Sequence, residues 1–378
     1  MISFFCEETI GRNESLIKRV EEQLMRGASW LIPNWIYCSK WSRLPVHHTM
    51  KKKLSLFLVE KMQSLGFHAY QDSVDNAIGT IGNGSKTIIL LGHIDTFPGH
   101  IPVQIRNGCL YGRGSVDAKG SMACFISAAN RLKEEVKDGK KKIIVIGAVE
   151  EEAATSRGTR QVLQDFNSPD YCVIGEPSGW NGLTLGYKGR LLLDYSLELP
   201  LKHTAAQGQT ACEVALDYCV KVQKWCEQFN SGKTIFDSLL LSIRSFNSKS
   251  DGLTEKIDLR LGFRLPINFD LKKLENFLQT TAQPAAVSFS GREVAVRKDK
   301  NNLLVRNFLR SIRDFGGKPK FKVKTGTSDM NVVAPHWHCP MVAFGPGDSS
   351  LDHTPDEHVE IEEYRRAVDV LESVLRAI

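Results

Sequence analysis

Three short apolar runs in this sequence each end in a side chain that can bind a metal ion, and this feature most limits the fold. KTIILLGHID ends at His93 and Asp95, KKIIVIGAVEEE ends at residues 150–152, and YCVIGEP ends at Glu176. Such runs are typical of strands that are buried on both faces, and here they alternate with helical patterns. The segment from about 54 to 177 therefore predicts a doubly wound, mostly parallel α/β sheet.

The sequence after Trp180 has a different period. GLTLGYKGRLLLDYSLELPL alternates as half-buried antiparallel strands do, and the elements that follow have the order strand-helix-strand-strand-helix-strand. Helix–strand alternation then returns. We therefore expect a discontinuous, metal-binding catalytic domain over 1–180 and 300–378. An inserted split βαβ (ferredoxin-like) lid and dimerisation domain is expected over 181–299.

Charge and composition exclude several classes of function. The net charge of +6 is mild and does not indicate a nucleic-acid partner. A membrane partner is not indicated either, since no apolar run approaches the roughly 20 residues of a membrane span. The amino terminus has neither the basic start nor the apolar run of a secretion signal. Nine cysteines, an odd number without a C-x-x-C pair, indicate neither a disulfide framework nor a thiolate zinc site. We expect a protein of the reducing cytoplasm.

Histidines and carboxylates at the strand ends form a mixed nitrogen and oxygen ligand set that suits Zn²⁺ or a similar divalent ion. Side chains at such ends are held by the sheet and face an open crevice, where α/β enzymes place their chemistry. The pattern indicates a metallohydrolase. Two simpler interpretations are a structural histidine at His93 and a solvated acidic turn at 150–152. GRGSVD could bind phosphate, but no Lys-Ser/Thr follows as in a P-loop.

Seven motifs occur in the order GHIDTFP, GRGSVDAKGSMA, EEEAATSRGTR, VIGEPS, HTAA, TGTSDMN and DHTPDEHV, within about residues 54–378. Together they resemble the signatures of the M20-type di-zinc amidohydrolases. This family includes succinyl-diaminopimelate desuccinylase, acetylornithine deacetylase and carboxypeptidase G2. The resemblance implies a zinc-dependent enzyme that cleaves carbon–nitrogen amide bonds. A non-catalytic binding protein on the same scaffold is the alternative from a different class.

The resemblance also implies roles for the residues at the strand ends. It places two divalent ions, zinc with cobalt able to substitute, on five ligands: His93, Asp117 and Glu176 for one ion, and Asp117, Glu152 and His353 for the other. Asp95 would accept the free N–H of His93, and Glu151 would be the general base. The roles in the glutamate run are ambiguous by one residue. In relatives the metal-binding glutamate precedes a Gly-Thr pair by six residues, which selects Glu152 here.

Further residues are implied for substrate. His203 in KHTAAQ resembles a lid histidine that crosses a dimer interface to polarise the scissile carbonyl, although Thr204 replaces the usual serine and no proline follows. Arg264, Ser328 and Asp329 occupy positions where relatives hold substrate carboxylates or line the pocket. A surface histidine and a strand-end salt bridge at Arg264 are the simpler interpretations.

Within the family, KTGTSDMNVVAP, GYKGR and AVEEEA look most like the branch that releases lysine or ornithine in amino-acid biosynthesis. The substrate would be N-acetyl-lysine or lysine on an acidic amino-group carrier protein, bound by a homodimer. Net charge and the lysines of KDGKKK and GYKGR would favour an acidic carrier. The simpler interpretation of KDGKKK is a solvated turn before a strand. Alternatives are deacylation of acetylornithine or succinyl-diaminopimelate, and a metallo-dipeptidase.

Residues 1–53 depart from the family. ASWLIPNWIYCSKWSRLPVHHTMKKK has neither helical nor strand periodicity and stands where relatives have a helix and an S-x-x-S-x-x-E segment. This stretch is either a genuine variant or translated from a shifted frame.

Overall fold

The computed structural model describes residues 48–203 and 205–378. Residues 1–47 lie outside the described residues, and with them most of the segment that is either a genuine variant or translated from a shifted frame. The helices are α1 (His48–Ser64), α2 (Lys119–Arg131), α3 (Arg157–Asp165), α4 (Ala211–Asn230), α5 (Leu271–Thr281), α6 (Leu303–Asp314), α7 (Asp329–Val333) and α8 (Ile361–Ala377). Two short 3-10 helices cover Glu135–Asp138 and Ser349–Leu351.

The strands of the first half are β1 (His68–Gln71), β2 (Ala77–Ile81), β3 (Lys86–His93), β4 (Gln104–Arg106), β5 (Cys109–Tyr111), β6 (Lys141–Ala148), β7 (Tyr171–Gly175) and β8 (Gly182–Tyr187). Those of the second half are β9 (Gly189–Pro200), β10 (Leu240–Ser250), β11 (Thr254–Leu265), β12 (Ala286–Glu293), β13 (Val296–Arg297), β14 (Lys320–Lys324), β15 (Met341–Ala343) and β16 (His358–Glu360).

Contacts between residues divide the described part of the chain into two compact units. The first comprises the described residues up to Leu185, Lys298–Lys322 and His336–Ile378, and the second comprises Gly186–Arg297 and Val323–Pro335. The large sheet has the order β1-β2-β6-β3-β7-β15-β8-β13, with β14 beside β8. Since β6, β3, β7 and β15 are mutually parallel, the predicted mostly parallel α/β sheet is confirmed.

The register of the parallel strands brings the ligand-bearing loops to one edge of the sheet. His93 pairs with Ala148 at the end of β6, and Gly92 pairs with Gly175 at the end of β7. The loops that follow these strands therefore leave the same edge. Six residues in the second part of β3 are buried, as expected of a strand covered on both faces.

Helix α2 packs closely against this edge because two strand residues lack side chains. A Cβ on Gly92 would lie 2.8 Å from Sδ of Met122, and a Cβ on Gly175 would lie 3.0 Å from the ring of Phe125. Each glycine directly precedes a candidate ligand in the sequence. The close packing thereby fixes the backbone from which those ligands project.

The second unit contains a four-stranded antiparallel sheet of order β10-β11-β9-β12. Its chain order, β9-α4-β10-β11-α5-β12, is the split βαβ pattern expected from the sequence. Buried residues of α4 and α5, among them Tyr218, Val222, Leu274 and Leu278, pack with the strands in one core. Helix α4 begins with a capping box between Thr210 and Glu213.

None of the helices in the described ranges is both long enough and apolar enough to cross a membrane.

Candidate metal centre

His93 is the last residue of β3, and only 1% of its surface is exposed. Its Nδ1 lies 3.0 Å from the backbone carbonyl oxygen of Asp95, and its Nε2 lies 3.1 Å from Oδ1 of Asp117. Burial opposes protonation of the ring, but the hydrogen bond to Asp117 and the nearby carboxylates of Asp95 and Glu151 raise the pKa of His93 well above its ordinary value. A hydrogen bond from Nδ1 to the carbonyl selects the tautomer whose Nε2 can bind a cation.

The carboxylate of Asp95 does not make the contact that the sequence suggested. Its Oδ1 is 3.7 Å from Nδ1 of His93, which is too long for a hydrogen bond. Oδ1 instead accepts the backbone N–H of Glu151 at 3.2 Å, and Oδ2 accepts that of Glu152 at 3.3 Å. The backbone carbonyl of Asp95 therefore orients the histidine, while its carboxylate holds the glutamate loop against the end of β3.

Asp117 lies between the two histidines, on the loop that leads into α2. Its Oδ1 faces His93, and its Oδ2 is 3.0 Å from Nε2 of His353. Burial opposes ionisation, but the hydrogen bonds from His353 and His93 hold the pKa of Asp117 well below its usual range. The carboxylate is thus ionised at neutral pH, and each oxygen faces a different imidazole, as a ligand shared by two cations requires.

His353 completes the second half of the cluster. Its Nε2 is also 3.0 Å from Oε1 of Glu152, and its ring stacks on Phe97 with centroids 4.3 Å apart and planes 13° from parallel. Hydrogen bonding to Asp117 and Glu152 raises the pKa of His353 to about 10. Sequence reasoning missed Phe97. The only signal for it is an apolar ring two residues after Asp95 in a loop otherwise suited to polar chemistry.

The donor atoms of these residues form two groups that share Asp117. One group comprises His93, Asp117 and Glu176, and the other comprises Asp117, Glu152 and His353. Within each group the donor atoms all lie within 4.8 Å of one another. Ligands bound to one zinc ion at about 2.0–2.2 Å lie roughly 3–3.5 Å apart. The observed separations of 3.0 and 3.1 Å around Asp117 match that spacing. The donor set therefore fits two divalent ions.

The three consecutive glutamates have different surroundings. Oε1 of Glu150 is 3.3 Å from Nε of Arg157, and its Oε2 accepts a hydrogen bond from Oγ1 of Thr155 at 2.8 Å. Glu152 lies in the donor group with His353. Glu151, between them, is half-buried and raises the pKa of His93 through its charge. This arrangement agrees with the register in which Glu152 binds the ion, and it leaves the general base as a prediction for Glu151.

The substrate residues expected from the sequence lie in the second unit. His203 is exposed, and its Nδ1 accepts the backbone N–H of Ala205 at 3.1 Å. Nη1 of Arg264 donates to Oγ1 of Thr327 at 2.9 Å. Arg264 therefore contacts the segment that also carries Ser328 and Asp329.

Ser328 and Asp329 are both almost fully buried. Oγ of Ser328 accepts the backbone N–H of Met330 at 3.2 Å, and Asn331 closes a capping box at the start of α7. Nδ2 of Asn331 also donates to the backbone carbonyl of Lys188 at 3.0 Å. The hydroxyl of Ser328 thus has a structural partner, and its contact with substrate stays a prediction.

Lys188 of GYKGR does not contribute to a surface, contrary to the expectation from the sequence. Its side chain is fully buried and donates to the backbone carbonyls of Phe236 and Ser238. Burial lowers the pKa of Lys188 to about 8. This lysine holds a loop of the second unit and is not available to attract an acidic carrier.

Comparison with known proteins agrees with the motifs. Residues 89–377 match the peptidase family M20/M25/M40. The chain is 44% identical over 332 residues to the LysW-lysine hydrolase of Deinococcus radiodurans, an alignment that covers 86% of this chain and 91% of that protein. It is 29% identical over 280 residues to the LysW-lysine/LysW-ornithine hydrolase of Saccharolobus islandicus, covering 74% and 78% of the two proteins.

A solved structure shows the same fold. The M20 family metallo-carboxypeptidase Sso-CP2 from Sulfolobus solfataricus matches with a TM-score of 0.73 at 18% identity, covering 90% of this chain and 98% of that one. Family membership also decides between an enzyme and a non-catalytic binding protein in favour of the enzyme. The chain belongs to the peptidase family M20/M25/M40 and is a metal-dependent hydrolase of amide bonds.

Proposed function

We propose that this enzyme releases lysine from LysW-lysine in lysine biosynthesis. The bond cleaved is the amide between the terminal glutamyl group of the carrier protein, which is the acyl group, and an amino group of lysine. The observation that carries this proposal is the 44% identity to a LysW-lysine hydrolase over 86% of the chain. The match extends over most of both proteins. The family match over residues 89–377 includes all five candidate ligands.

Two zinc ions fit the donor set, and cobalt could substitute, because both metals accept imidazole and carboxylate ligands in low coordination numbers. His93, Asp117 and Glu176 would hold one ion, and Asp117, Glu152 and His353 would hold the other. When bound, the ions would polarise the scissile carbonyl and lower the pKa of a water molecule.

The chain supplies the proton transfer and the geometry. Glu151 would take a proton from the attacking water and return it to the amino group of the departing lysine. Asp95 supports this role, since its carboxylate holds the backbone N–H groups of Glu151 and Glu152. His203 would polarise the carbonyl from a neighbouring subunit, and its exposed position permits such a contact.

Lysine brings a carboxylate and a cationic side chain that the enzyme must hold. Arg264 would bind the carboxylate of lysine, because a guanidinium can donate two parallel hydrogen bonds to it. Asp329 or a neighbouring acid would bind the side-chain ammonium, and Ser328 would line the same pocket. The hydrogen bond from Arg264 to Thr327 supports this grouping, since Thr327 directly precedes Ser328 and Asp329 in the chain.

The first unit would be the catalytic domain, and the second unit would be the lid through which two subunits pair. Strand β10 is the edge of its sheet, and it exposes Ile243 and Phe246 by 55% and 40%. Helix α4 exposes Leu216 and Val220 by 57% and 42%. An exposed edge strand can hydrogen-bond to a second copy of itself, and antiparallel pairing of this kind has two-fold symmetry.

We place the reaction in the cytoplasm. Support comes from the odd number of cysteines and from the free thiols of all seven cysteines in the described part of the chain.

A substrate panel tests the proposal. The enzyme, loaded with Zn²⁺ or Co²⁺, would be given LysW-lysine, N-acetyl-lysine, acetylornithine, succinyl-diaminopimelate and a dipeptide, and the released amino acid would be quantified. We expect the highest catalytic efficiency with LysW-lysine. A clear preference for acetylornithine or succinyl-diaminopimelate would assign the enzyme to those deacylases. A preference for the dipeptide would assign it to the metallo-dipeptidases.

A further inference from the structure

The positive charge of this chain is concentrated in one short segment. Residues 298–322 contain eight lysines and arginines and two aspartates, an excess of six positive charges. The whole chain has the same formal net charge, +6. The remaining residues have no net formal charge, so the excess positive charge of the chain resides in this segment, where it can attract an acidic partner.

Helix α6 presents part of this charge as a single stripe. Arg306, Arg310 and Arg313 are spaced four and three residues apart, so they lie on the same side of the helix, and all three are exposed. The opposite side is buried in the core of the first unit through Leu304, Val305, Phe308 and Ile312. Asp314 is 3.6 Å from Arg310, but an ion pair this exposed neutralises little of the charge.

A shallow cavity adjoins the stripe and combines apolar and cationic side chains. It has a volume of about 290 Å³ and is lined by Lys300, Asn301, Arg306, Leu309 and Phe321. Phe321 is 45% exposed, and Nζ of Lys300 lies 5.8 Å from the centre of its ring. An apolar side chain could enter this cavity while acidic groups beside it meet the cations at its rim. We call Lys300, Arg306, Arg310, Arg313 and Phe321 the basic face.

Three of the four lysines of KDGKKK have partners, whereas among the three arginines of the stripe on α6 only Arg310 has one in the described part of the chain. Lys137 is 2.6 Å from Glu134, and Lys140 is 3.1 Å from Asp138. Nζ of Lys141 donates to carbonyl groups at the carboxyl end of the chain, at Leu375, Arg376 and Ile378. This loop is therefore a weaker candidate for docking than the sequence suggested.

We propose that the basic face binds an acidic protein segment that carries an exposed apolar side chain, and that it docks the body of the carrier during lysine release. The proposal rests on the proposed function, because a substrate borne by a protein needs a second contact surface. A free acylated amino acid needs none. Charged groups at the rim of an interface mainly accelerate association, and their effect is screened by salt.

The test compares two sets of three substitutions. One variant carries Arg306→Gln, Arg310→Gln and Arg313→Gln, and the matched control carries Lys137→Gln, Lys140→Gln and Lys142→Gln. Both lose three positive charges from the first unit. Binding of purified LysW without lysine to the metal-loaded enzyme would be measured by calorimetry, at about 50 mM and about 300 mM salt. Turnover of N-acetyl-lysine would be measured in parallel.

At low salt we expect the arginine variant to bind LysW about 10- to 100-fold more weakly than wild type, and the control to bind as wild type does. Phe321→Ala should also weaken binding, but without changing its dependence on salt. All variants should hydrolyse N-acetyl-lysine at the wild-type rate. Equal weakening in both triple variants, or no binding of LysW by the wild type, would overturn the docking proposal. Failure of the wild type to release lysine from LysW-lysine would instead overturn the proposed function.

Discussion

Arg113 and Glu357 form a buried ion pair, with Nη1 of the arginine 2.8 Å from Oε2 of the glutamate. The other carboxylate oxygen of Glu357 accepts the backbone N–H groups of Gly114, Val116 and Asp117, at 2.9 to 3.1 Å. Glu357 follows His353 by four residues. It therefore ties the loop of the shared carboxylate to the segment that carries the second histidine, although it belongs to neither donor group.

Replacement of Glu357 should disturb the metal centre. We expect Glu357→Ala to weaken metal binding about 10- to 100-fold, as loss of a residue that orients ligands usually does. Glu357→Gln should have a smaller effect, because the amide oxygen can still accept the three N–H groups. Metal affinity would be measured by titration of chelated protein. Glu363 also accepts two backbone N–H groups, from Trp180 and Gly347, and Glu363→Gln serves as the control. Equal metal affinity in Glu357→Ala and wild type would contradict this role.

The two glutamates that follow Glu150 should separate into a base and a ligand. Glu151→Gln should retain both ions but lose about 10²–10⁴-fold in turnover, the usual size of a general acid–base contribution. Glu152→Gln should lose metal, because Glu152 contacts His353 in the donor cluster. Metal content by mass spectrometry and single-substrate kinetics distinguish the variants. The reverse result would shift the roles by one residue.

The convergence of the candidate ligands could be predicted from sequence because it depends on a general property of parallel sheets. Strands β3, β6 and β7 read as continuous apolar runs, and parallel strands end at the same edge. The residues at or just after their ends, His93, Glu152 and Glu176, are therefore brought to one edge of the sheet. The Gly-Thr pair after the glutamates supplied the register, which periodicity alone could not give.

Contacts that depend on loop conformation could not be predicted in the same way. The carboxylate of Asp95 turns toward backbone N–H groups 56 and 57 residues further along the chain. Phe97 stacks on His353. The buried Lys188 donates hydrogen bonds to the backbone carbonyls of Phe236 and Ser238. None of these partners is related by a helical or strand period. The grouping of residues 323–335 with the second unit likewise arises from tertiary contacts.

Exchange of subunits tests the role of His203. Neither His203→Ala nor Glu151→Gln should be active alone, but mixing the two proteins should restore part of the activity. In the mixed dimer one site would carry both wild-type groups, if His203 acts on its neighbour. Exchange would be verified with differently labelled subunits. No recovery despite verified exchange would show that His203 acts within its own chain or has no catalytic role.

Buried Lys188 should make stability depend on alkaline pH. Its pKa in the folded protein, about 8, is below the ordinary value of 10.5. The folded state thus disfavours the charged form of Lys188, and this lowers the free energy of unfolding. The loss of stability is fully present below about pH 8 and disappears as pH rises toward 10.5. Relative to Lys188→Met, the wild type should become more stable between pH 7 and pH 10. Urea unfolding midpoints of both proteins would show a constant difference if Lys188 were solvated.

Lysine release as a function of added metal is the most direct test of a two-ion hydrolase. Protein stripped with a chelator would receive increasing Zn²⁺ or Co²⁺, and lysine freed from LysW-lysine would be quantified at each step. We predict no release without metal and a plateau at about two ions per chain, since the donor groups share Asp117. His353→Ala should give no release at any metal concentration. Full activity of the stripped protein would contradict the account.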